Sequence, residues 1–363
     1  MARVLVAGAS GVVGQPAVAA FAKAGWDVVA VSRRAPDLPA APNWRHVPLD
    51  LLDAEACRRV AGAHGAITHV VYAALYEKPG LVEGWRDEEQ IATNLAMLRN
   101  LMTPLREAGT LTHLSLLQGT KAYGVHIKPF APPAKECWPR HPHRNFYWLH
   151  EDWVREELAP RGIGFTIFRP QVIFGDATGV AMNILPVLAT YGAICRELGR
   201  EFAFPGGPDY LLEAVDARLL ADALLWAADA PSARNETFNI TNGDVFCWRH
   251  VWPAIAGALG LEPGPDTPLK LGDWLPRQEA AWQRIVARYG LRPGTLAALL
   301  GESHHYADFT MATGATRPPQ PALVSTIKLR QAGFGGCIDT EEMFRVLLAG
   351  LAAKQIVPFP GGA

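Results

Sequence analysis

The sequence predicts an α/β protein in which helices cover both faces of a doubly wound parallel sheet, followed by a smaller, mostly helical C-terminal lobe. Short, almost continuously apolar runs alternate with longer amphipathic stretches through the first half of the chain. Strands covered on both faces need that composition. A glycine-rich turn at Gly8, Gly11 and Gly14 directly follows the first apolar run. This position is typical of the Rossmann-type, dinucleotide-binding version of the fold.

The elements follow in order along the chain. Strands are predicted at 3–8, 27–31, 46–49, 67–73, 111–116 and 163–168. Helices are predicted between them at 12–24, 54–62, 87–108 and 149–159, and after Gly175 at 181–198 and 216–229. We therefore predict a Rossmann domain over 1–175 with a returning strand near 236–241. Residues 176–363 are predicted to form mainly a substrate-binding lobe over the carboxyl edge of the sheet.

Composition excludes several classes of partner. The 363 residues carry a formal net charge of -1, which argues against a nucleic acid or an anionic membrane as the main partner. Five scattered cysteines without a CxxC pair indicate reduced thiols. The first predicted strand begins at Arg3, so we expect no signal peptide before it. No apolar run approaches the roughly 20 residues that a membrane span needs. We expect a cytoplasmic protein; its oligomeric state stays open, with a homodimer as one option.

The glycine-rich turn predicts a cofactor site. Gly8 permits the sharp turn, Gly11 lets the backbone approach a pyrophosphate, and Gly14 lets the helix pack closely on the strand. The GxxGxxG spacing is that of short-chain dehydrogenase/reductases, and a turn without a ligand is the alternative. The intervening residues predicted to contact the cofactor are Ser10, Val12 and Val13.

The end of the second strand favours NADPH over NADH. An NAD site usually carries an acidic residue there, whereas this chain reads Ser32-Arg33-Arg34. Hydroxyl donors and guanidinium groups suit a ribose 2′-phosphate, with a solvated basic loop as the alternative.

The ends of the next two strands complete the predicted cofactor site. Asp50, with Leu51 beside it, resembles a residue that binds the adenine ring, while Asp53 equally suits a helix cap. At the end of the fourth strand, small residues would let the ribose lie against the backbone. The predicted contacts there are Tyr72, Ala73 and Ala74.

Tyr147 and Lys121 are the predicted catalytic pair. Most reductases on this scaffold have a lysine four residues after the catalytic tyrosine, but here that residue is Glu151. Lys121, after the fifth strand, could take its place. An ammonium nearby would lower the pKa of a tyrosine and strengthen it as a donor. Both groups could then stabilise negative charge on a carbonyl oxygen. The alternative is a core tyrosine and a solvated lysine.

Several segments resemble the progesterone 5β-reductase/iridoid synthase family of atypical short-chain dehydrogenase/reductases. These are 119–124, 145–148, 169–175 and 239–246, within a resemblance that spans roughly 3–260. It implies NADPH-dependent reduction of activated C=C bonds in enones and enals, with Lys121 and Tyr147 as the catalytic residues. It also implies that Arg33 binds the 2′-phosphate and that Pro170 and Val172 flank the nicotinamide.

The substrate is less well specified than the reaction. Trp148 stands where the family often has a second tyrosine, and we expect it to contact substrate together with Met182 and Phe204. A small enone or enal is as suitable as a steroid. The alternatives are an extended short-chain carbonyl reductase or epimerase and a non-catalytic NADP-sensing protein. No metal is expected, because the pairs His141/His143 and His304/His305 lack ligand spacing.

Overall fold

The computed structural model describes residues 2–78, 84–292 and 294–358. Over these residues the strands are β1 (Arg3–Ala7), β2 (Asp27–Ser32), β3 (Trp44–Pro48), β4 (His69–Tyr72), β5 (His113–Leu117), β6 (Gly164–Pro170), β7 (Val172–Phe174), β8 (Phe202–Ala203), β9 (Ala214–Asp216), β10 (Glu236–Ile240) and β11 (Pro263–Gly264). The helices are α1 (Gly14–Lys23), α2 (Ala54–Ala63), α3 (Glu88–Glu107), α4 (Phe146–Glu157), α5 (Ile184–Glu197), α6 (Ala217–Asp229), α7 (Trp248–Ala258), α8 (Leu271–Trp274), α9 (Glu279–Tyr289), α10 (Leu296–Leu300), α11 (Ser303–Thr310), α12 (Ile327–Gln331) and α13 (Thr340–Ala353).

Seven parallel strands form the main sheet in the order β3-β2-β1-β4-β5-β6-β10. β1 pairs with β2 on one side and β4 on the other, so the direction of winding reverses between β1 and β4. The returning strand β10 joins β6 at the edge, with Glu236 opposite Thr166. The predicted doubly wound sheet is confirmed. In such sheets, ligands bind outside the carboxyl ends of the strands at the reversal point.

Each face of the sheet has its own apolar layer, because successive side chains of a strand point to opposite faces. Leu5 of β1 packs with Leu98 of α3 in one layer. Val4 packs with Val18 of α1 and Leu220 of α6 in the other. α6 therefore belongs to the Rossmann body, although the predicted division at 175 assigned its residues to the lobe. The packing of α6 against β1 and α1, rather than its place in the sequence, therefore decides to which part of the molecule it belongs.

Helices α5, α7 to α11 and α13 form the lobe around an aromatic core. Trp248, Trp282 and Phe344 are almost completely buried there, together with most of α5. Two small parallel strand pairs, β7–β9 and β8–β11, contribute to this part of the molecule. Among the described residues, no helix has both the length and the apolar character that crossing a bilayer requires.

Candidate functional site

A cavity of about 930 Å³ lies where the carboxyl ends of the sheet strands meet residues of the lobe. Its position at the reversal between β1 and β4 is the one expected for a ligand site in this fold. The structure brings most of the predicted site residues to its wall: Gly8, Ser10, Gly11, Val12, Val13, Ser32, Arg33, Arg34, Asp50, Leu51, Tyr72, Ala73, Ala74, Lys121, Tyr147, Pro170, Val172 and Met182.

The turn after β1 is built for close backbone approach. Gly8 has φ +79°, and a Cβ there would lie 2.6 Å from the carbonyl oxygen of Ala73. A Cβ on Gly14 would lie 2.1 Å from the carbonyl oxygen of Gly8. No side chain caps the first turn of α1, which follows Val13. The Gln15 amide already donates to the Gly11 carbonyl oxygen at 3.2 Å, and Pro16 has no N–H. The amides of residues 12–14, which make no backbone hydrogen bond within the described residues, are therefore the ones suited to receive an anion such as a pyrophosphate.

The end of β2 carries positive charge at the rim of the cavity. Arg34 Nη2 donates to the carbonyl oxygen of Gly179 at 3.1 Å, which joins this rim to the loop after β7. The Ser32 hydroxyl donates to the carbonyl oxygen of Arg34 at 2.6 Å, so it holds the turn. Arg33 is exposed and makes no hydrogen bond to the described residues, which leaves its guanidinium available to a ligand.

Two aspartates after β3 have different positions. Asp53 caps α2, where its Oδ1 accepts from the amides of Glu55 at 3.0 Å and Ala56 at 2.9 Å. Asp50 lies in the cavity wall and accepts from the Leu52 amide at 3.0 Å. The helix-cap interpretation of Asp53 is therefore confirmed.

One asparagine connects the two predicted catalytic residues. Asn145 caps α4 by accepting from the Tyr147 amide at 3.0 Å, and its Nδ2 donates to the carbonyl oxygen of Lys121 at 3.3 Å. Gln118 Nε2 donates to the carbonyl oxygen of Tyr147 at 3.1 Å. This cap starts α4 at Phe146 rather than at the predicted residue 149. Tyr147 therefore sits in the first helical turn, beside the short 3-10 turn that carries Lys121.

The side chains of the pair lie on one wall. Lys121 Nζ is 4.3 Å from the centre of the Trp85 ring and 5.9 Å from the centre of the Tyr147 ring. A Cβ on Gly119 would lie 3.4 Å from Tyr147 Oη, so the absence of a side chain there leaves room at the hydroxyl. Within the described residues, Tyr147 Oη makes no hydrogen bond, which leaves it available to a ligand oxygen.

The pKa of Tyr147 shifts in the direction opposite to the one expected from the sequence. Burial raises the pKa of Tyr147, and the nearby Glu77 and Tyr306 act in the same direction. The prediction that Lys121 would lower this pKa is therefore wrong, since desolvation dominates. Burial lowers the pKa of Lys121 to about 8, while the charge of Glu77 opposes this shift. At neutral pH the tyrosine is a protonated donor and the lysine is mostly an ammonium.

The position four residues after Tyr147, where most reductases on this scaffold have a lysine, has a structural role here. Glu151 is buried, and its Oε2 accepts from Gln118 Nε2 at 3.1 Å and from Arg169 Nη2 at 3.4 Å. Arg169 Nε also donates to Gln118 Oε1 at 2.8 Å. Although burial opposes it, hydrogen bonding and neighbouring arginines hold the pKa of Glu151 below its usual value. The carboxylate fastens α4, and with it Tyr147, to the ends of β5 and β6.

Two of the three predicted substrate contacts do not reach the cavity. The Trp148 ring packs against the guanidinium carbons of Arg140 at 4.7 Å and Arg169 at 5.4 Å. Its neighbour Tyr147 takes the cavity side because adjacent helical residues point in different directions. Phe204 is buried against Trp252, with ring centres 5.4 Å apart. Of the three residues predicted to contact substrate, Met182 lines the cavity, whereas Trp148 and Phe204 lie outside its wall.

Much of the cavity wall lacks a recognisable sequence motif. Its aromatic residues include Trp85, Phe130, Phe146, Tyr210, Tyr306 and Phe309. Besides Asp50, the carboxylates of Glu77, Glu213 and Glu302 also lie there. Glu213 Oε2 accepts from the Val324 amide at 2.8 Å, and burial raises the Glu213 pKa to about 7. Glu77 and Trp85 come from the Rossmann body, whereas Tyr210, Glu213 and Tyr306 come from the C-terminal part, so the complete wall depends on the docking of the lobe.

No cluster of three or more potential metal ligands occurs in the part of the chain that the structure describes. His141 and His143 contact each other, with 3.0 Å between their Nδ1 atoms, and the rings of His304 and His305 lie 4.3 Å apart. Neither pair lines the cavity.

Comparison with known proteins places these features in context. The model of the NAD dependent epimerase/dehydratase family matches residues 4–241. The (S)-8-oxocitronellyl enol synthase of Antirrhinum majus is 31% identical, over 88% of this chain and 82% of the relative. The 3-oxo-Delta(4,5)-steroid 5-beta-reductase of Arabidopsis thaliana is 31% identical over 92% of this chain and 86% of the relative. These relatives confirm the resemblance that the motifs indicate.

Solved structures share the fold at lower identity. The Thermus thermophilus UDP-glucose 4-epimerase in complex with NAD superposes with a TM-score of 0.66. It is 18% identical, and the match covers 96% of this chain and 98% of that structure.

Proposed function

This chain belongs to the NAD dependent epimerase/dehydratase family, and on that premise we propose that it is an oxidoreductase that uses NADPH to reduce the activated C=C bond of enones and enals. The observation that carries the proposal is the placement of Tyr147 and Lys121 on one wall of the cavity that begins at the Gly8 turn. Relatives named as an enol synthase and a steroid 5-beta-reductase support the same reaction class.

The residues of the wall suit a 1,4-addition. The cofactor would supply a hydride to the β-carbon of the substrate, and the π electrons would move to the carbonyl oxygen as an enolate. The Tyr147 hydroxyl would donate a hydrogen bond to that oxygen, and the Lys121 ammonium would stabilise its charge. The α-carbon would then take up a proton from solvent water to complete the saturated product. A buried, preorganised donor contributes more to this stabilisation than the same group in water.

The preference for NADPH rests on the rim at the end of β2. Arg33 and Arg34 would bind the 2′-phosphate, and the two positions directly after β2 hold no carboxylate to accept from a free 2′-hydroxyl. The next carboxylate along the chain, Asp37, is paired with Arg292. The Gly8 turn and the first turn of α1 would bind the pyrophosphate. Pro170 and Val172 would lie at the nicotinamide, close to the catalytic pair.

A comparison of two ketones tests the reaction. We expect 2-cyclohexen-1-one to cause loss of NADPH absorbance, whereas saturated cyclohexanone should not. Equal oxidation with cyclohexanone would instead identify a carbonyl reductase. NADPH binding without turnover across small enones, enals and steroids would favour the sensing protein. The same panel would distinguish a small-enone reductase from a steroid enzyme.

A further inference from the structure

Side chains of α3 hydrogen-bond to the backbone on both sides of Glu77, in the segment after β4. The Tyr76 amide donates to Asn94 Oδ1 at 2.9 Å, and Asn94 Nδ2 donates back to the Tyr76 carbonyl oxygen at 2.9 Å. On the other side, the Lys78 amide donates to Gln90 Oε1 at 2.8 Å. Gln90 and Asn94 belong to α3 and are almost completely buried. The backbone on both sides of Glu77 is therefore fixed by buried side chains.

The Glu77 carboxylate is fixed as well, yet no direct ion pair neutralises it among the described residues. Its Oε1 accepts from Gln90 Nε2 at 3.0 Å. Its Oε2 is buried and has no hydrogen-bond partner in the described parts of the chain. Burial raises the pKa of Glu77, whereas the charge of Lys121 and the side-chain N–H groups of Gln90 and Trp85 act in the opposite direction, although the Trp85 indole N–H makes no hydrogen bond within the described residues. A buried charge held in this way costs free energy, so its retention calls for a role.

The groups that share the wall with Glu77 identify that role. The positive charge of Lys121 acts to lower the pKa of Glu77. The negative charge of Glu77 in turn acts to raise the pKa of Tyr147 and of Tyr306. The neighbouring Lys78 is already paired, with Nζ at 2.8 Å from Asp87 and 2.6 Å from Glu89.

One further titratable group lies near the pair. The ring centre of His126 is 6.1 Å from that of Trp85, and the positive charge of Lys121 contributes to lowering the His126 pKa. Burial lowers its pKa to about 4, so it is neutral at working pH. Glu77 is thus the one group described around Lys121 whose negative charge favours the ammonium.

We propose that Glu77 is a positioning residue of the reaction, whose fixed carboxylate favours the ammonium form of Lys121 and adds to the burial that keeps the Tyr147 hydroxyl protonated in the cavity. The two effects have one cause: a nearby negative charge favours the positive form of an amine and disfavours the negative form of a phenol. The inference rests on the proposed function for its catalytic consequence. The charge effect itself is a property of the protein alone.

The variant Glu77→Gln tests this role with little change of shape. An amide oxygen can still accept from Gln90, and the backbone bonds of Tyr76 and Lys78 are untouched. The Lys121 pKa is about 8, so kcat/KM should fall as pH rises through that value. In Glu77→Gln this decline should begin on the order of one pH unit lower. The ratio of kcat/KM at high pH to kcat/KM at low pH should then be about tenfold smaller in the variant than in the wild type.

A second experiment does not depend on turnover. The full-length protein is acetylated with acetic anhydride across a pH series, and the modification of Lys121 is quantified by mass spectrometry. The midpoint should lie near pH 8 in the wild type and lower in Glu77→Gln. Glu77→Asp, which keeps the charge, should move the midpoint back toward the wild-type value. Circular dichroism verifies that each variant is folded.

Glu156→Gln is the matched control, because it removes the same charge from the exposed face of α4. It should leave both the pH profile and the labelling midpoint unchanged. An unchanged Lys121 midpoint in folded Glu77→Gln would overturn the inference. A shifted midpoint in a protein that reduces no enone would uphold the charge effect and reject the proposed function instead.

Discussion

Replacing Tyr147 with phenylalanine isolates one hydroxyl group. The tyrosine is 8% exposed, and its ring packs against Phe146 with ring centres 4.6 Å apart. Its hydroxyl makes no hydrogen bond within the described residues, so Tyr147→Phe removes no protein contact of that kind. The free energy of unfolding should therefore change by roughly 0.5 kcal/mol or less. Any larger effect on turnover then reports on the reaction rather than on folding.

The expected kinetic loss follows from the proposed role of the hydroxyl as a donor to the enolate oxygen. Loss of one oxyanion donor typically costs about 2.7–4 kcal/mol, which is roughly 10²–10³ in kcat. NADPH affinity should remain nearly intact. An enal or another strongly activated alkene should lose less than a plain enone, because its enolate needs less stabilisation. Lys121→Met should also slow turnover, with part of its effect seen as weaker cofactor binding.

The assay measures kcat for 2-cyclohexen-1-one and an enal, with NADPH affinity from a fluorescence titration. Tyr191→Phe is the matched control, since its hydroxyl donates to the Ala203 carbonyl oxygen at 3.1 Å, away from the cavity wall. It should lose about 1 kcal/mol of stability and keep its turnover. If Tyr147→Phe retains near wild-type kcat on every substrate, the donor role must be abandoned.

Three further substitutions test the cofactor rim, the catalytic cap and the lobe. Arg33→Asp should remove a charge-assisted contact worth about 1.5–3 kcal/mol and weaken NADPH binding roughly 10- to 150-fold; equal use of NADPH and NADH by the wild type would contradict this. Asn145→Ala should cost about 0.5–2 kcal/mol in urea unfolding through loss of the α4 cap, and should lower kcat because the link to Lys121 is lost; an unchanged kcat would reject the positioning role. Burial raises the Glu213 pKa from 4.5 to about 7, so between these values the folded state binds more protons than the unfolded state. Wild-type stability relative to Glu213→Gln should therefore fall by up to about 3 kcal/mol between pH 5 and 8, and a pH-independent difference in urea unfolding would refute this.

Local patterns in the chain determined the sheet and the cofactor turn. The apolar runs of β1 and β2 predict buried strands because backbone pairing and burial on both faces require such residues. The glycine spacing predicts the turn because only glycine tolerates the backbone of Gly8 and the contact at Gly14. Lys121 and Tyr147 could likewise be identified, since each belongs to a short motif next to a predicted strand or helix.

The tertiary structure alone decided how those residues are surrounded. Trp148 and Tyr147 are adjacent in sequence, yet only the packing of α4 determines which one faces the cavity. The high pKa of Tyr147 follows from burial by distant segments, which no local pattern records. Glu77 carries no motif, and its proximity to Lys121 exists only because β4, α3 and the turn after β5 meet at one edge. Local sequence specifies backbone conformation and burial, whereas desolvation and charge in the site depend on which segments the completed fold brings together.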